Sequence, residues 1–196
     1  MRRAEFLRAG AAVLAGGMIG TTLVGTRPAA ASGPAIPNVP VIDQSGKRLR
    51  FYDDLIRDRA VMLNFFYTGC GQTCPLVTQN LREVQDRLAD RMGRDIFMIS
   101  VSLRPEVETP AILREYADDW QVRPGWSFLT GRLVDLDRLR RELGFADTDP
   151  AYANDPDSHT GMVRFGNDRL QRWSSTAGLG RPVWIAKTVT SLADMG

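Results

Sequence analysis

A strand that is buried on both faces is the strongest structural signal in this sequence. Residues 60–67 are apolar at every position except Asn64, and other elements must cover a strand of that composition on both sides. Two glycines and two cysteines follow within residues 68–74 and end the run. Pro75 then opens a predicted helix, whose apolar residues recur every three or four positions and form one buried face: Val77, Leu81, Val84, Leu88 and Met92.

Strands and helices alternate along the rest of the chain. A short hairpin over residues 39–51 precedes the buried strand. The later pattern predicts strands at 96–103 and 126–129, helices opening at Pro110 and Leu133, a polar loop at 146–158, a hairpin at 160–174 and a closing helix at 182–195. This order predicts an α/β domain at residues 39–196, in which helices flank a mixed central sheet with extra N-terminal and C-terminal hairpins.

The position of the cysteines narrows the fold further. A thiol motif between a buried strand and a helix is where the thioredoxin fold carries its active centre, so we predict a thioredoxin-like domain. Ligands of such sheets bind at the carboxyl ends of the strands. Cys70 and Cys74 are expected to lie at that edge.

Residues 1–31 have the layout of an export signal. Arginines precede an uncharged segment, residues 9–26, and Ala29–Ala31 supplies the small residues that a signal peptidase recognises. The pair Arg2-Arg3 followed by Phe6-Leu7 is similar to a twin-arginine signal, with a Sec signal as the alternative.

Segment 9–26 would tether the domain to the membrane if it were retained. Its 18 residues include five glycines, which makes it marginal as a membrane span. A cleaved signal and a retained anchor both predict a domain outside the cytoplasmic membrane, in the periplasm or on the outer face of that membrane. Residues 32–38 then form a proline-rich leader.

Charge argues against nucleic acid as a partner. The chain has a formal net charge of +2, but residues 1–31 hold four arginines and one glutamate. Subtraction leaves 21 Lys and Arg against 22 Asp and Glu in the remaining residues, a net charge of −1. A domain so close to neutral lacks the basic surface that nucleic acid binding requires.

The two cysteines and the single histidine limit the kinds of site. A site with two histidines, four cysteines or a haem-attaching C-x-x-C-H motif is excluded. Cys70 and Cys74 can form a structural disulfide in an oxidising compartment. Closing a loop of about five residues contributes only about 2 kcal/mol, against about 4 kcal/mol for fifty residues or more. We therefore favour a chemical role and keep a binding module with a stapled loop as an alternative.

The surroundings of the thiols suit two kinds of chemistry. Cys74 directly precedes Pro75 and is expected at a helix N-terminus, where the dipole and unpaired N–H groups favour thiolate. Cys70 lies on a glycine-flanked turn and can swing toward it. A thiolate is both a redox nucleophile and a ligand for soft metals. The three residues between the cysteines give a wider turn than the two of the oxidoreductase motif, and this turn can hold a metal ion.

His159, at the end of the polar loop, is the candidate third ligand. Two thiolates and one imidazole are too few for a closed structural zinc site. They suit copper, because thiolates select Cu(I) and imidazole also accepts Cu(II). A lone histidine beside a loop is more commonly a surface or hydrogen-bonded residue, so the residue types alone leave its role open.

Four segments are similar to the SCO/SenC family of copper proteins. They are Asn64–Pro75 with its C-x-x-x-C-P motif, Ser100–Pro110, Trp126–Gly131 and Ser158–Thr160, and the resemblance covers residues 39–176. It implies a thioredoxin-like fold with an added hairpin and copper bound by Cys70, Cys74 and His159. It also implies assistance in assembling the dinuclear copper centre of cytochrome c oxidase. Asp137 matches a family carboxylate and is the candidate outer-sphere group.

Two positions depart from the family pattern. Arg104-Pro105 stands where the family usually has Asp-Pro, and Ser158-His159 where it usually has Asp-His. If those carboxylates orient the histidine or dock a partner, we expect weaker copper binding or a different client.

The sequence therefore predicts an exported metallochaperone that receives copper from a donor and delivers it to cytochrome c oxidase or another copper enzyme. Copper is expected in trigonal coordination, with an affinity that falls at low pH because the ligands must lose protons. The alternative is a thiol–disulfide reductase for an exported client, in which Cys70 and Cys74 are the redox pair and His159 is incidental.

Overall fold

The computed structural model describes residues 36–71, 73–149, 151–152 and 161–195. Within these residues, seven strands form one sheet: β1 (Pro40–Asp43), β2 (Arg48–Arg50), β3 (Ala60–Phe66), β4 (Ile96–Ser102), β5 (Trp126–Thr130), β6 (Met162–Asn167) and β7 (Arg172–Ala177). The helices are α1 (Thr73–Leu88), α2 (Pro110–Asp119), α3 (Leu133–Glu142) and α4 (Pro182–Ala193).

The predicted mixed sheet is confirmed, with the order β2-β1-β5-β4-β3-β6-β7. Strand β3 runs parallel to β4 and antiparallel to β6, and β4 runs parallel to β5. All seven residues of β3 are buried. The two predicted hairpins form the edges of the sheet, β1–β2 on one side and β6–β7 on the other.

Helices cover both faces of the sheet, as the composition of β3 requires. On one face, Val77, Leu81, Val84 and Leu88 of α1 pack together with buried residues of α2 and α4. On the other face, α3 and a π-helical segment (Phe51–Ile56) form a second apolar layer. Adjacent residues of β3 alternate between the layers, because successive side chains of a strand point to opposite faces.

The polar exception in β3 is satisfied by hydrogen bonds within the core. Asn64 Oδ1 accepts a hydrogen bond of 2.7 Å from Ser100 Oγ on β4. Ser100 Oγ accepts in turn from Trp126 Nε1 on β5, at 2.9 Å. A buried amide left without partners would be costly, so this chain of bonds favours one register for the three parallel strands.

Four sequence expectations differ in detail from the structure. Phe51, expected in the first hairpin, starts the π-helical segment and is fully buried. Helix α1 begins at Thr73 rather than Pro75. Ile112, expected among the buried residues of α2, is exposed. Gly166, expected in the last turn, lies inside β6, because the ring of Trp173 on the paired strand occupies the space of a Cβ.

Several sequence calls lie outside the described residues. These are the export signal at 1–31, the tether at 9–26 and most of the proline-rich leader. The described helices include none that is long and apolar enough to cross a membrane.

Gly125 permits a close contact between the segments that precede β4 and β5. Its backbone φ of +94° lies in the left-handed region, and a Cβ built there would lie 2.4 Å from the backbone N of Gly93. Its carbonyl oxygen also accepts a hydrogen bond of 2.8 Å from the N–H of Met98. A side chain would therefore push apart two backbones that start neighbouring core strands.

We expect Gly125→Ala to destabilise the domain more than Gly46→Ala. Gly46 has a similar φ of +87° but no atom within 4 Å of a built Cβ, so alanine there costs only the left-handed strain, about 1 kcal/mol. The backbone clash at Gly125 should add about 1–3 kcal/mol. Urea unfolding of both variants tests this difference, and equal losses would contradict it.

Candidate metal centre

The turn after β3 brings the two thiols together. The N–H of Cys70 donates to the carbonyl oxygen of Tyr67 at 3.3 Å. The N–H of Cys74, in the first turn of α1, donates to Cys70 Sγ at 3.4 Å. The sulfur of Cys70 thus lies directly over the start of α1. No disulfide joins Cys70 and Cys74 in this structure.

Both thiols are buried in the layer that contains α1. Cys70 is 8% exposed and Cys74 only 2%. They belong to the same apolar cluster as Tyr67 and Val77. A ligand or reagent therefore reaches the sulfurs only through a narrow opening at the surface.

Burial reverses the expectation that Cys74 favours thiolate. It raises the pKa of Cys74 to about 12, and the adjacent Cys70 and Glu108 raise it further, while a hydrogen bond from the backbone of Tyr67 lowers it. The expectation considered only the helix N-terminus, whose effect is limited to about 2 kcal/mol even in favourable sites. Desolvation of a buried charge can outweigh an effect of that size. Cys74 is therefore a neutral thiol at neutral pH in the metal-free protein.

Glu108 is a site residue that the sequence patterns did not identify. It is 1% exposed and its carboxylate accepts hydrogen bonds from the N–H of Thr68 and the hydroxyl of Ser102. Thr68 begins the cysteine turn and Ser102 ends β4, so Glu108 ties the turn to the sheet. In the sequence, Glu108 only precedes the helix cap Thr109, whose side chain accepts from the N–H of Ile112. A burial signal for a glutamate beside a cap does not exist in a single sequence.

Arg104, one of the departures from the family pattern, packs against the cysteine turn. Its guanidinium carbon lies 4.4 Å from the centroid of the Tyr67 ring, a cation–π contact. Its N–H donates to Ser102 Oγ at 3.0 Å. This position thus brings a positive side chain toward the thiol-bearing turn, where the family usually has a carboxylate.

Asp137 lies in α3, which packs on the face of the sheet opposite to α1. Its carboxylate pairs with Arg140 at 3.1 Å and with Arg141. It lines a cavity of about 320 Å³ at the end of β4, together with Ser102 and Glu106. The structure therefore does not bring Asp137 together with the thiols, and its outer-sphere role stays a prediction.

His159 and Ser158 lie outside the described residues. Within the described part of the chain, no cluster of three or more His, Cys, Asp or Glu side chains is arranged to hold a metal ion. Cys70 and Cys74 are the two predicted ligands whose proximity the structure describes.

The model of the SCO1/SenC family matches residues 39–167, more than half of the 196-residue chain. This chain belongs to the SCO1/SenC family. A Stutzerimonas stutzeri protein described as copper-binding is 28% identical over 132 residues, which make up 66% of this chain and 62% of that protein. The chain thus spans less than two thirds of the length of this relative.

Solved structures of the family confirm the thioredoxin-like fold. A SCO1/SenC family lipoprotein of Bacillus anthracis superposes with a TM-score of 0.68 at 18% identity, covering 83% of this chain and 96% of that one. Copper-bound ScoI of Arabidopsis thaliana gives a TM-score of 0.64 at 18% identity, covering 85% of this chain and 100% of that one. At these identities the likeness concerns the fold.

We expect the Cys74 thiol of this SCO1/SenC protein to be alkylated slowly at neutral pH. Because its pKa is raised to about 12, the thiolate fraction, and with it the rate, should grow about tenfold per pH unit between pH 8 and 10. Iodoacetamide modification of reduced, metal-free Cys70→Ser, followed by mass spectrometry, measures the rate. A plateau reached below pH 9 would instead support the thiolate that the sequence predicted.

We expect Glu108→Ala to destabilise the domain and Glu108→Gln to change it little. Glutamine can accept from the N–H of Thr68 and donate to Ser102 Oγ, whereas alanine leaves buried groups unpaired at about 1–3 kcal/mol each. Urea unfolding of both variants is the measurement. Equal stability of the two would show that the carboxylate does not hold the turn.

Proposed function

We propose that this SCO1/SenC protein is an exported copper metallochaperone. Copper would be held by Cys70, Cys74 and His159 and delivered to cytochrome c oxidase or another copper enzyme. The observation that carries the proposal is the thiol pair after β3, in which the N–H of Cys74 lies 3.4 Å from Cys70 Sγ. Membership of the SCO1/SenC family supports it.

The chemistry of the donor set fits copper as cargo. Two sulfurs are soft ligands and select Cu(I) over harder ions, and an added imidazole is acceptable to both copper oxidation states. Cys74 is protonated at neutral pH in the metal-free protein, so binding of copper has to release that proton. Burial of both sulfurs protects them from solvent and oxidants until a donor or acceptor reaches them.

A contact next to the masked loop supports His159 as the third ligand. Gly161 lies two residues after His159, and a Cβ built on Gly161 would lie 3.1 Å from Cγ2 of Thr73. Thr73 immediately precedes Cys74. Two residues span at most about 7 Å of chain, which is short enough for a histidine at position 159 to serve a site at the start of α1.

The N-terminal residues support the compartment that we propose. A signal-like segment at 1–31 directs the domain out of the cytoplasm, with residues 9–26 as the tether if the segment is retained. Outside the cytoplasm, a separate reductant has to keep Cys70 and Cys74 reduced. A copper donor and a client subunit are then the required partners.

A thiol–disulfide reductase is the second candidate function. Two adjacent thiols at the end of a central strand in a thioredoxin-like sheet also suit this reaction. One thiolate would attack a client disulfide, the other would resolve the mixed disulfide, and two client thiols would be released as Cys70 and Cys74 become a disulfide. His159 has no part in that exchange.

We expect the reduced full-length protein to bind one Cu(I) tightly. Cys70→Ser and Cys74→Ser should abolish tight binding, and His159→Ala should weaken it at least about tenfold, since loss of even an outer-shell partner costs about 10–100-fold. Competition with a chromophoric Cu(I) chelator measures the affinities. Asp137→Asn is the control, since its carboxylate pairs with arginines of α3.

Two results separate the candidate functions. Absence of tight Cu(I) binding in the reduced protein would reject the metallochaperone. Unchanged copper affinity in His159→Ala would remove the imidazole from the ligand set. Efficient reduction of a client disulfide by His159→Ala, together with failure to bind copper, would favour the reductase.

A further inference from the structure

Exposed apolar side chains concentrate at the edge of the sheet that carries the thiols. The parallel strands β3, β4 and β5 end at this edge. Because β6 is antiparallel to β3 and β7 to β6, β7 also ends there and α4 begins there. Ten large hydrophobic side chains are exposed among the described residues. Eight of them lie in the first turns of the four helices or in the segments leading into α2 and α4.

Four of these side chains belong to α1, α4 and the segment between β7 and α4. We call them the apolar patch: Leu76, Leu179, Val183 and Trp184. Their exposed fractions are 54%, 55%, 41% and 55%. A Trp more than half exposed at the first turn of a helix is unusual for a side chain of this size. Exposed aromatic and aliphatic groups of this kind are typical of interaction sites.

The apolar patch is held next to the thiols by hydrogen bonds. Asn80 Nδ2 donates to the carbonyl oxygens of Gly178 and Gly180, at 2.7 and 2.6 Å. These two bonds fix Leu179 against α1. Leu76 lies one turn before Asn80 on the same side of the helix, and it is only two residues after Cys74. The patch is therefore continuous with the thiol site.

Basic side chains border the apolar patch. Arg181 directly precedes α4, and Lys187 Nζ lies 5.7 Å from the centroid of the Trp184 ring. Neither forms an ion pair with any residue that the structure describes. The opposite edge of the sheet differs, since charged residues of both signs line a cavity there, including Arg57, Asp58 and Asp95.

We propose that the apolar patch is the docking surface for the protein that accepts copper, and that the acceptor presents an apolar centre with acidic side chains facing Arg181 and Lys187. The inference rests on the proposed function. Because the two sulfurs are 8% and 2% exposed, an acceptor ligand can reach them only if its protein packs closely against this edge. The apolar patch provides the contact area, and the basic side chains provide charge complementarity.

The same features disfavour two other occupants. Pairing of two copies about a two-fold axis would place both sets of Arg181 and Lys187 in one interface, where like charges repel. A helix that lies on a membrane exposes an apolar face along its length. In α4 the exposed large apolar residues are confined to the first turn, and Lys187 and Thr188 are exposed in the next one.

The test measures docking and copper binding separately, with the soluble copper-accepting domain of cytochrome c oxidase as the probe. Leu179→Ser, Trp184→Ser and Arg181→Glu alter the docking surface. Met195→Ser is the matched apolar control, because Met195 is 54% exposed at the far end of α4. Arg169→Glu is the charge control at the opposite edge. Calorimetry of the reduced, metal-free full-length chain with the probe gives the dissociation constant, and chelator competition gives the Cu(I) affinity.

We expect each patch variant to weaken the complex about tenfold, with Cu(I) affinity unchanged and both controls like the wild type. Patch variants that bind the probe as the controls do, or no complex with the wild type, would overturn the docking surface. Binding to anionic vesicles, or a concentration-dependent dimer, that is lost in Trp184→Ser would also overturn it in favour of a lipid or a second copy. Patch-dependent docking by a chain that does not bind copper would support the surface and reject the proposed function.

Discussion

Burial of β3 on both faces is the constraint on which the site depends. The strand is hydrogen-bonded to β4 and β6 and covered by helical layers on both sides, so its carboxyl end is fixed in position. The cysteine turn begins at that end. Because the Asn64–Ser100–Trp126 hydrogen bonds favour a single register for β3, β4 and β5, the turn also has a defined position relative to the ends of β4 and β5.

The thiols combine a local arrangement with a buried setting. The helix N-terminus alone would favour a reactive thiolate at Cys74, yet the apolar layer around α1 keeps it protonated. A buried neutral thiol is protected from adventitious oxidation, and a soft metal can still displace its proton. This combination suits a protein that holds a metal for transfer more than one that needs a permanently activated nucleophile.

The edge that carries the thiols also differs from the rest of the surface. Helix N-termini and the segments before them meet there, and they expose most of the large apolar side chains that the described residues expose. The topology explains this concentration, since every parallel strand delivers its connection to the same edge. Site and interaction surface thus arise from one property of the sheet.

Local patterns in the sequence determined the order of strands and helices, the buried face of α1 and the approach of Cys70 to Cys74, because each depends on residues close together along the chain. The thioredoxin-like fold and the candidate ligands were predictable for the same reason, aided by the similarity to a known family. Only the tertiary structure decided the role of Glu108, the protonation of Cys74 and the position of Asp137 on the opposite face. Those depend on burial and on contacts between distant segments, such as Glu108 with Thr68. The extent of desolvation and the pairing of buried groups are properties of the packed chain, and no local pattern encodes them.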